Sequence, residues 1–429
     1  MQRPKIKILE NGLKIVTITT DSPSVTVMSL VGTGSKYEQK ENNGISHFLE
    51  HMCFKGTDKK TGKEIMRYLD GLGAETNAFT DYELTGYYVK SINKHWKKTL
   101  AVVSDIYLNS NFPKDEMEKE KGVILGEISM YEDMPMRHVY DVFAELAYKD
   151  QPAGRTILGT PLNIKQMKRE DFVNYHTDHY VAEATTVMLA GNIDHKEVVA
   201  QVKKCFANIS SSKKVPKQKT KTDQKKLGLH VHYKKTDQTH IIAGYESYNL
   251  YHKDTLILKL IAAILGGGMS SRLFEILRED MGVGYYVRAG NQAQTDTGNF
   301  LISCGVDSSR VAEVVTAIQK EIKRMTSELV SDAELKKTKD FIIGNTFMGL
   351  ESSDDLAFYY GQRSVHDLEM KTPKEVMSAL QKISAKDMRR VARNVFKNER
   401  LNIAMIGPHK EAEIKTFKKV AKLTTKKEA

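Results

Sequence analysis

Cysteine is scarce: Cys53, Cys205 and Cys304 are the only three in 429 residues. An odd number with no Cys-x-x-Cys spacing excludes a disulfide framework and a thiolate zinc cluster, and a reducing cytoplasm is the expected location. Equally lacking is any apolar run of the roughly 18–20 residues that would span a bilayer, so no membrane partner is expected. The N-terminal stretch MQRPKIKILENGLKIVTI passes into strand-like alternation without the apolar core of a signal peptide. Neither of the two lysine-rich stretches, 213–226 and 415–429, that carry much of the formal charge of +11 is interleaved with stacking aromatics. With no zinc-finger or RNA-binding signature beside them, these read as a solvated connector and a solvated tail, and no nucleic-acid partner is expected.

What is present is an ordinary globular composition, 40% hydrophobic and 28% charged, in a chain too long for one core. Residues 209–226 are polar and nearly free of apolar side chains, as a connector between packed units is. The chain therefore divides into a first domain, 1–212, a linker, 213–227, and a second domain, 228–429. Both halves run through the same order of elements. SVTVMSLVG (24–32), a helix, a glycine-marked turn, ELTGYYVKS (83–91) and the helical HWKKTLAVVSDIYL are echoed by THIIAGYES (239–247), TLILKLIAAIL, a glycine-rich turn, GNFLISCGV (298–306) and RVAEVVTAIQKEIKRM. The offset of about 214 residues at both matched strands points to a duplication. The expected fold class is α+β: two homologous tandem domains, each a mostly antiparallel sheet packed on one side by helices.

The run HFLEHMCFKGT, residues 47–57, holds two histidines four apart. A helix starting near Asn43 places Ile45, Phe48, Leu49 and Met52 on one stripe and His47, Glu50 and His51 on the opposite face. Imidazoles one helical turn apart can share one zinc ion, with Glu50 beside it to take a proton from a water that the metal acidifies. A lone His-x-x-x-His pair is as well read as a solvated face; the complete HxxEH string and its segregation from the apolar stripe favour a metal. Cys53 points away from both histidines and reads as a small buried hydrophobe.

Such a site needs a third ligand. The helical stretch 115–133, introduced by Pro113, offers Glu116, Glu120 and Glu127 on one face while Val123, Ile124 and Ile128 pack. Glu127, set among apolar residues, is the better candidate, with a plain surface carboxylate as the alternative reading.

HFLEH followed after 75 residues by the glutamate of GEISMYEDMP resembles the pitrilysin family of inverted-motif zinc peptidases. The likeness is to its branch of short subunits, which includes the mitochondrial processing peptidase and its bacterial relatives. The resemblance implies one zinc ion per chain held by His47, His51 and Glu127, with Glu50 as general base and Glu120 as a supporting carboxylate. It also implies that Asn77, Ala78 and Phe79, in GAETNAFTDYEL, pair with the substrate backbone as an added strand. Arg278 and Tyr285, seven apart in SSRLFEILREDMGVGYYV, would hydrogen-bond the substrate carbonyl or the developing oxyanion. GRTILGTPLNI (154–164) matches a family segment that implies no chemistry.

The expected function is that of a zinc endopeptidase hydrolysing peptides or unfolded precursor segments in an enclosed chamber. The expected assembly is a homodimer, or a heterodimer with an inactive homologue. The alternative is a non-catalytic family member acting as scaffold or partner subunit, which degenerate metal positions would mark.

Overall fold

The computed structural model describes residues 3–422. The first sheet contains β1 (Lys5–Ile8), β2 (Lys14–Thr19), β3 (Ser24–Val31), β4 (Glu75–Thr80), β5 (Thr85–Ile92) and β6 (Thr185–Gly191). Their order is β1-β2-β6-β3-β5-β4, and every pairing is antiparallel except β2 with β6. The second sheet contains β7 (Gly228–Tyr233), β8 (Gln238–Glu246), β9 (Gly284–Ala293), β10 (Gly298–Asp307) and β11 (Leu401–Gly407), in the order β7-β11-β8-β10-β9. Here only β7 with β11 is parallel. Strand for strand, β2-β6-β3-β5-β4 repeats as β7-β11-β8-β10-β9, with the same single parallel pair. The chain is therefore a mixed α and β fold with a duplicated topology.

Helices cover each sheet for the reason the alternation suggests: successive strand residues face opposite ways. In the first sheet Val16, Ile18, Met28, Leu30, Met188 and Ala190 share one face, and the helix Ser353–Val365 lies on it through Leu356, Ala357 and Tyr360. The helix Trp96–Leu108 packs against β3 and β5, and the motif helix Ile45–Cys53 against β4 and β5. In the second sheet Ile242, Leu301, Ala404 and Ile406 meet Val139, Val142 and Phe143 of the helix Pro135–Tyr148. Ile241, Ala243 and Tyr245 turn instead toward the helices Thr255–Gly266, Val311–Ser327 and Ala385–Val395.

The two compact units are discontinuous in sequence. One comprises residues 1–129, 155–218 and 346–374, the other 130–154, 219–345 and 375–429. Relative to the halves expected at 1–212 and 228–429, one helix on each side of the linker belongs to the other unit. A buried helix face records that it must be covered but not by which sheet, so sequence order misassigns such helices.

The linker has no regular secondary structure, but it is not uniformly solvated. Thr220 is buried, and Lys217 lies 3.3 Å from the buried carboxylate of Glu83. Part of the basic tail is helical, in Glu411–Val420 with Phe417 buried, and 423–429 lie outside the described residues. No helix among the described residues is long and apolar enough to cross a membrane.

Cys53 and Cys304 are fully buried and Cys205 is partly exposed. One thiol per native chain should therefore react promptly with a thiol reagent, and three after denaturation. Mass spectrometry of the labelled native protein should place the adduct on Cys205.

Candidate metal centre

The motif helix runs from Ile45 to Cys53 and begins one residue later than an Asn43 cap would give, because Gly44 takes the N-cap position with φ of +101°. Its free N-terminal amides are buried and are capped by a side chain from outside the helix. Glu38 accepts from the backbone N–H of Gly44 and of Ser46 and from the side-chain amide of Asn43, each at 2.8 Å. A carboxylate at a helix N-terminus satisfies orphan donors and complements the helix dipole. Gly44 also faces Gly159: a Cβ on Gly159 would stand 2.4 Å from the Asn43 carbonyl. The segment GRTILGTPLNI thus has a structural role, since Asn163 donates to the carbonyls of Lys40 and Asn43, and Asn43 to that of Thr156. Replacing Glu38 by Ala leaves buried amides unsatisfied and should destabilise the protein by about 2–4 kcal/mol. Urea unfolding of the variant against the parent would check this.

Ile45, Phe48, Leu49 and Met52 are buried, as the periodicity predicts. The opposite face is not a wet one, however: His47 is 8% and Glu50 9% exposed. The helix is therefore enclosed nearly all round, and its polar groups need partners. His51 finds one on the helix Lys114–Glu132 and Glu50 finds one on β4, while Nδ1 of His47 is buried without a hydrogen bond; on that helix Ile124 and Ile128 are buried but Val123, expected to pack, is exposed. Glu116 is also on the surface and pairs with Lys119 at 2.6 Å.

Glu127 reaches both histidines. Its Oε2 lies 3.7 Å from Nε2 of His47 and 3.7 Å from Nε2 of His51. One donor atom from each of the three side chains falls within 4.8 Å of the others. Those separations are too long for hydrogen bonds but near the roughly 3.4 Å between atoms that each sit about 2.0–2.1 Å from one tetrahedral zinc. Glu120 accepts from the Nδ1–H of His51 at 2.8 Å, and its other oxygen lies 2.5 Å from Lys55 Nζ. A carboxylate on Nδ1 fixes the ring so that Nε2 faces the shared position.

The electrostatics agree with a cation at that point. Burial, with a smaller contribution from His51, pushes His47 down to about 3, so its imidazole is neutral and its lone pair free. Burial would lower His51 too, but the Glu120 hydrogen bond and the charges of Glu50, Glu120 and Glu127 outweigh it and raise the group. Burial works to raise Glu120, yet His51 and Lys55 hold it below the usual carboxylate range. Glu50, raised by burial to about 7, accepts from the hydroxyl of Thr80 at 3.0 Å. The carboxyl groups of Glu50, Glu120 and Glu127 crowd around the two imidazoles, and a divalent cation among them would offset the cost of burying their charges. The donor set of two imidazoles and a carboxylate fits zinc.

Asn77, Ala78 and Phe79 lie on β4, which is the outermost strand of its sheet and pairs only with β5 among the described residues. Thr80, at the end of that strand, is the residue that touches Glu50, so the exposed edge and the motif helix are joined directly. Arg278 and Tyr285 belong to the second unit. Each sits at an irregularity: Arg278 in a π-helical turn, Glu275–Asp280, and Tyr285 between Tyr286, which pairs with Gly305, and Gly284, which pairs with Val306. Tyr285 is thus the extra residue of a β-bulge, 60% exposed, while the Arg278 guanidinium donates to the Gly284 carbonyl at 3.0 Å. Bulges and π-turns re-aim side chains and recur at functional sites. Glu38, Lys55 and Thr80 carry no sequence signal of their own; only the folded contacts reveal them.

A duplicated α+β chain whose two histidines and one glutamate bring their donor atoms within 4.8 Å of one another is of the metallopeptidase type. Residues 14–161 match the family model described as insulinase (peptidase family M16), and residues 166–341 the model described as peptidase M16 inactive domain. The chain belongs to peptidase family M16, the pitrilysin family, in its branch of short subunits. It is 34% identical to an uncharacterized zinc protease of Rickettsia bellii, over 94% of this chain and 97% of that one. It is 29% identical to the beta subunit of the human mitochondrial-processing peptidase, over 95% of this chain and 85% of that one. The crystal structure of a protease from Helicobacter pylori has the same fold, with a TM-score of 0.88 at 24% identity, covering 95% of this chain and all of that one.

Proposed function

We propose that the protein is a zinc-dependent endopeptidase acting on peptides or unfolded segments. What carries this reading is the convergence of His47, His51 and Glu127 on one point, with the buried carboxylate of Glu50 one helical position from His51. A zinc ion held there supplies a Lewis acid that acidifies water and polarises a carbonyl. Glu50 takes the proton of the attacking water and passes it to the leaving amine. Its position near neutrality suits both transfers. The peptide lies extended along β4, paired through the backbone of Asn77, Ala78 and Phe79, so that selectivity falls to side-chain pockets. In a dimer, Tyr285 and Arg278 reach the site from the other chain and donate to the carbonyl oxygen as it becomes an oxyanion. The exposure of Tyr285 at its bulge supports that role.

Since one chain carries the complete donor set and the Arg278/Tyr285 pair, a homodimer around a closed chamber is the simplest assembly, with a heterodimer containing an inactive homologue as its variant. The test is direct. The purified protein should hold about one zinc per chain and cleave a quenched unstructured peptide, and a chelator should abolish cleavage until zinc is restored. Absence of both zinc and cleavage would leave a scaffold or partner-subunit role instead.

A further inference from the structure

The segment between β3 and the motif helix touches two things at once. At its start, the N–H of Ser35 donates to the carbonyl of Asp81 at 3.2 Å and that of Lys36 to the carbonyl of Tyr82 at 2.9 Å. These carbonyls belong to the turn between β4 and β5, closed by Asp81 N–H to the Leu84 carbonyl at 2.8 Å. The approach is so close that a Cβ on Gly34 would lie 2.0 Å from the Asp81 carbonyl oxygen. At its end, Glu38 caps the motif helix through Gly44 and Ser46. Five residues thus connect the tip of the substrate-edge hairpin to the N-terminus of the helix that carries His47, Glu50 and His51.

A buried ion pair locks that connection. Lys36 is fully buried, and its ammonium donates to Glu83 at 3.0 Å, with Glu83 itself 6% exposed. Lys217, from the lysine-rich linker, adds a second cation 3.3 Å from the same carboxylate oxygen. Such pairs contribute little net stability over apolar replacements, but they hold one geometry, because any displacement strands a charge in a dry site. The geometry held here is the height of the β4–β5 turn against segment 34–38. Through Thr80 it is also the distance from β4 to Glu50.

We propose that Lys36 and Glu83, completed by Lys217, are positioning residues that set the substrate-edge strand β4 in register with the motif helix. This rests on the peptidase reading for its catalytic consequence but not for its structural one. Loss of the latch should let β4 shift relative to Glu50 without disturbing the metal-binding residues, none of which touches it. A misplacement of about 1 Å costs roughly 100-fold in kcat/KM.

The experiment uses the full-length protein and Glu83→Gln, Lys36→Met, the double variant, and Lys36→Arg, which keeps the charge. The expected result is that Glu83→Gln and Lys36→Met retain zinc at the wild-type ratio but lose about 100-fold in kcat/KM, mostly through KM. The double variant should be no worse than either single one, and Lys36→Arg should recover most of the loss. Without substrate, hydrogen exchange of the amides in 76–80 should quicken about tenfold in both single variants while β2, β3 and β6 keep their protection. If Lys36→Met fails to fold, Lys217→Ala, on the partly exposed side, should show the same selective quickening at about threefold. Unchanged exchange in 76–80, uniform loosening of the whole sheet, or kinetic loss that tracks loss of zinc would overturn the proposal. A wild type inert toward peptides would instead overturn the peptidase reading, and exchange alone would then decide the latch.

Discussion

Glu50→Gln should abolish peptide hydrolysis, lowering kcat by about 10³–10⁴-fold, while the protein still binds one zinc per chain. The substitution preserves shape: the new amide oxygen can accept from Thr80 as the carboxylate does at 3.0 Å. It removes only the group able to take and return a proton. Because Glu50 is buried, deleting its charge relieves a desolvation cost, so unfolding free energy should change by no more than about 1 kcal/mol. Zinc analysis, denaturant unfolding and turnover of a quenched peptide on one preparation separate these effects. Should the variant cleave at the wild-type rate, Glu50 is not the general base. Should it lose zinc, Glu50 belongs to the donor set.

The second large effect concerns the two glutamates of the helix Lys114–Glu132. Glu127 faces both Nε2 atoms, whereas Glu120 meets the far nitrogen of His51 and Lys55. Removing an outer hydrogen-bond partner of a ligating histidine costs about 10–100-fold in metal affinity. Glu120→Gln should therefore weaken zinc by that factor and remain active when zinc is in excess. Glu127→Ala should weaken it further and stay inactive at any zinc concentration that leaves the parent active. Competition for zinc against a chromophoric chelator gives both affinities. A Glu127→Ala protein that binds zinc as tightly as the parent, or a Glu120→Gln protein that loses more, would reverse the assignment of the two carboxylates.

Much of the site could be read without coordinates because its signals are local. Within nine residues, helical periodicity separates Ile45, Phe48, Leu49 and Met52 from His47, Glu50 and His51. The pairing of halves was equally legible, since the strands that became β3, β5, β8 and β10 recur in the same order at a near-constant offset, although β3 and β10 proved buried on both faces. Glu127 is different. No local rule brings residue 127 to residue 51: its apolar setting made it a better candidate than Glu116, and the resemblance of the 75-residue spacing to a family pattern made it the ligand. Burial of the polar helix face was missed for a related reason. Amphipathic periodicity reports which side is apolar, and a site enclosed by carboxylates from another helix is polar and dry together.

Tertiary structure alone decided the remaining features, all through contacts between residues distant in the chain. Thr80 against Glu50, Lys55 on Glu120 and the Lys36–Glu83–Lys217 cluster each require two segments to meet. So does the placement of the helices Pro135–Tyr148 and Ser353–Val365 on sheets formed by the opposite half of the chain. The amino-acid order by itself determined the elements, their duplication and the chemistry the motif can offer, because periodicity, spacing and residue type are properties of neighbours. Which neighbours of neighbours meet was settled by packing, since an apolar face or a buried charge dictates that it must be covered or paired and leaves the partner to the fold.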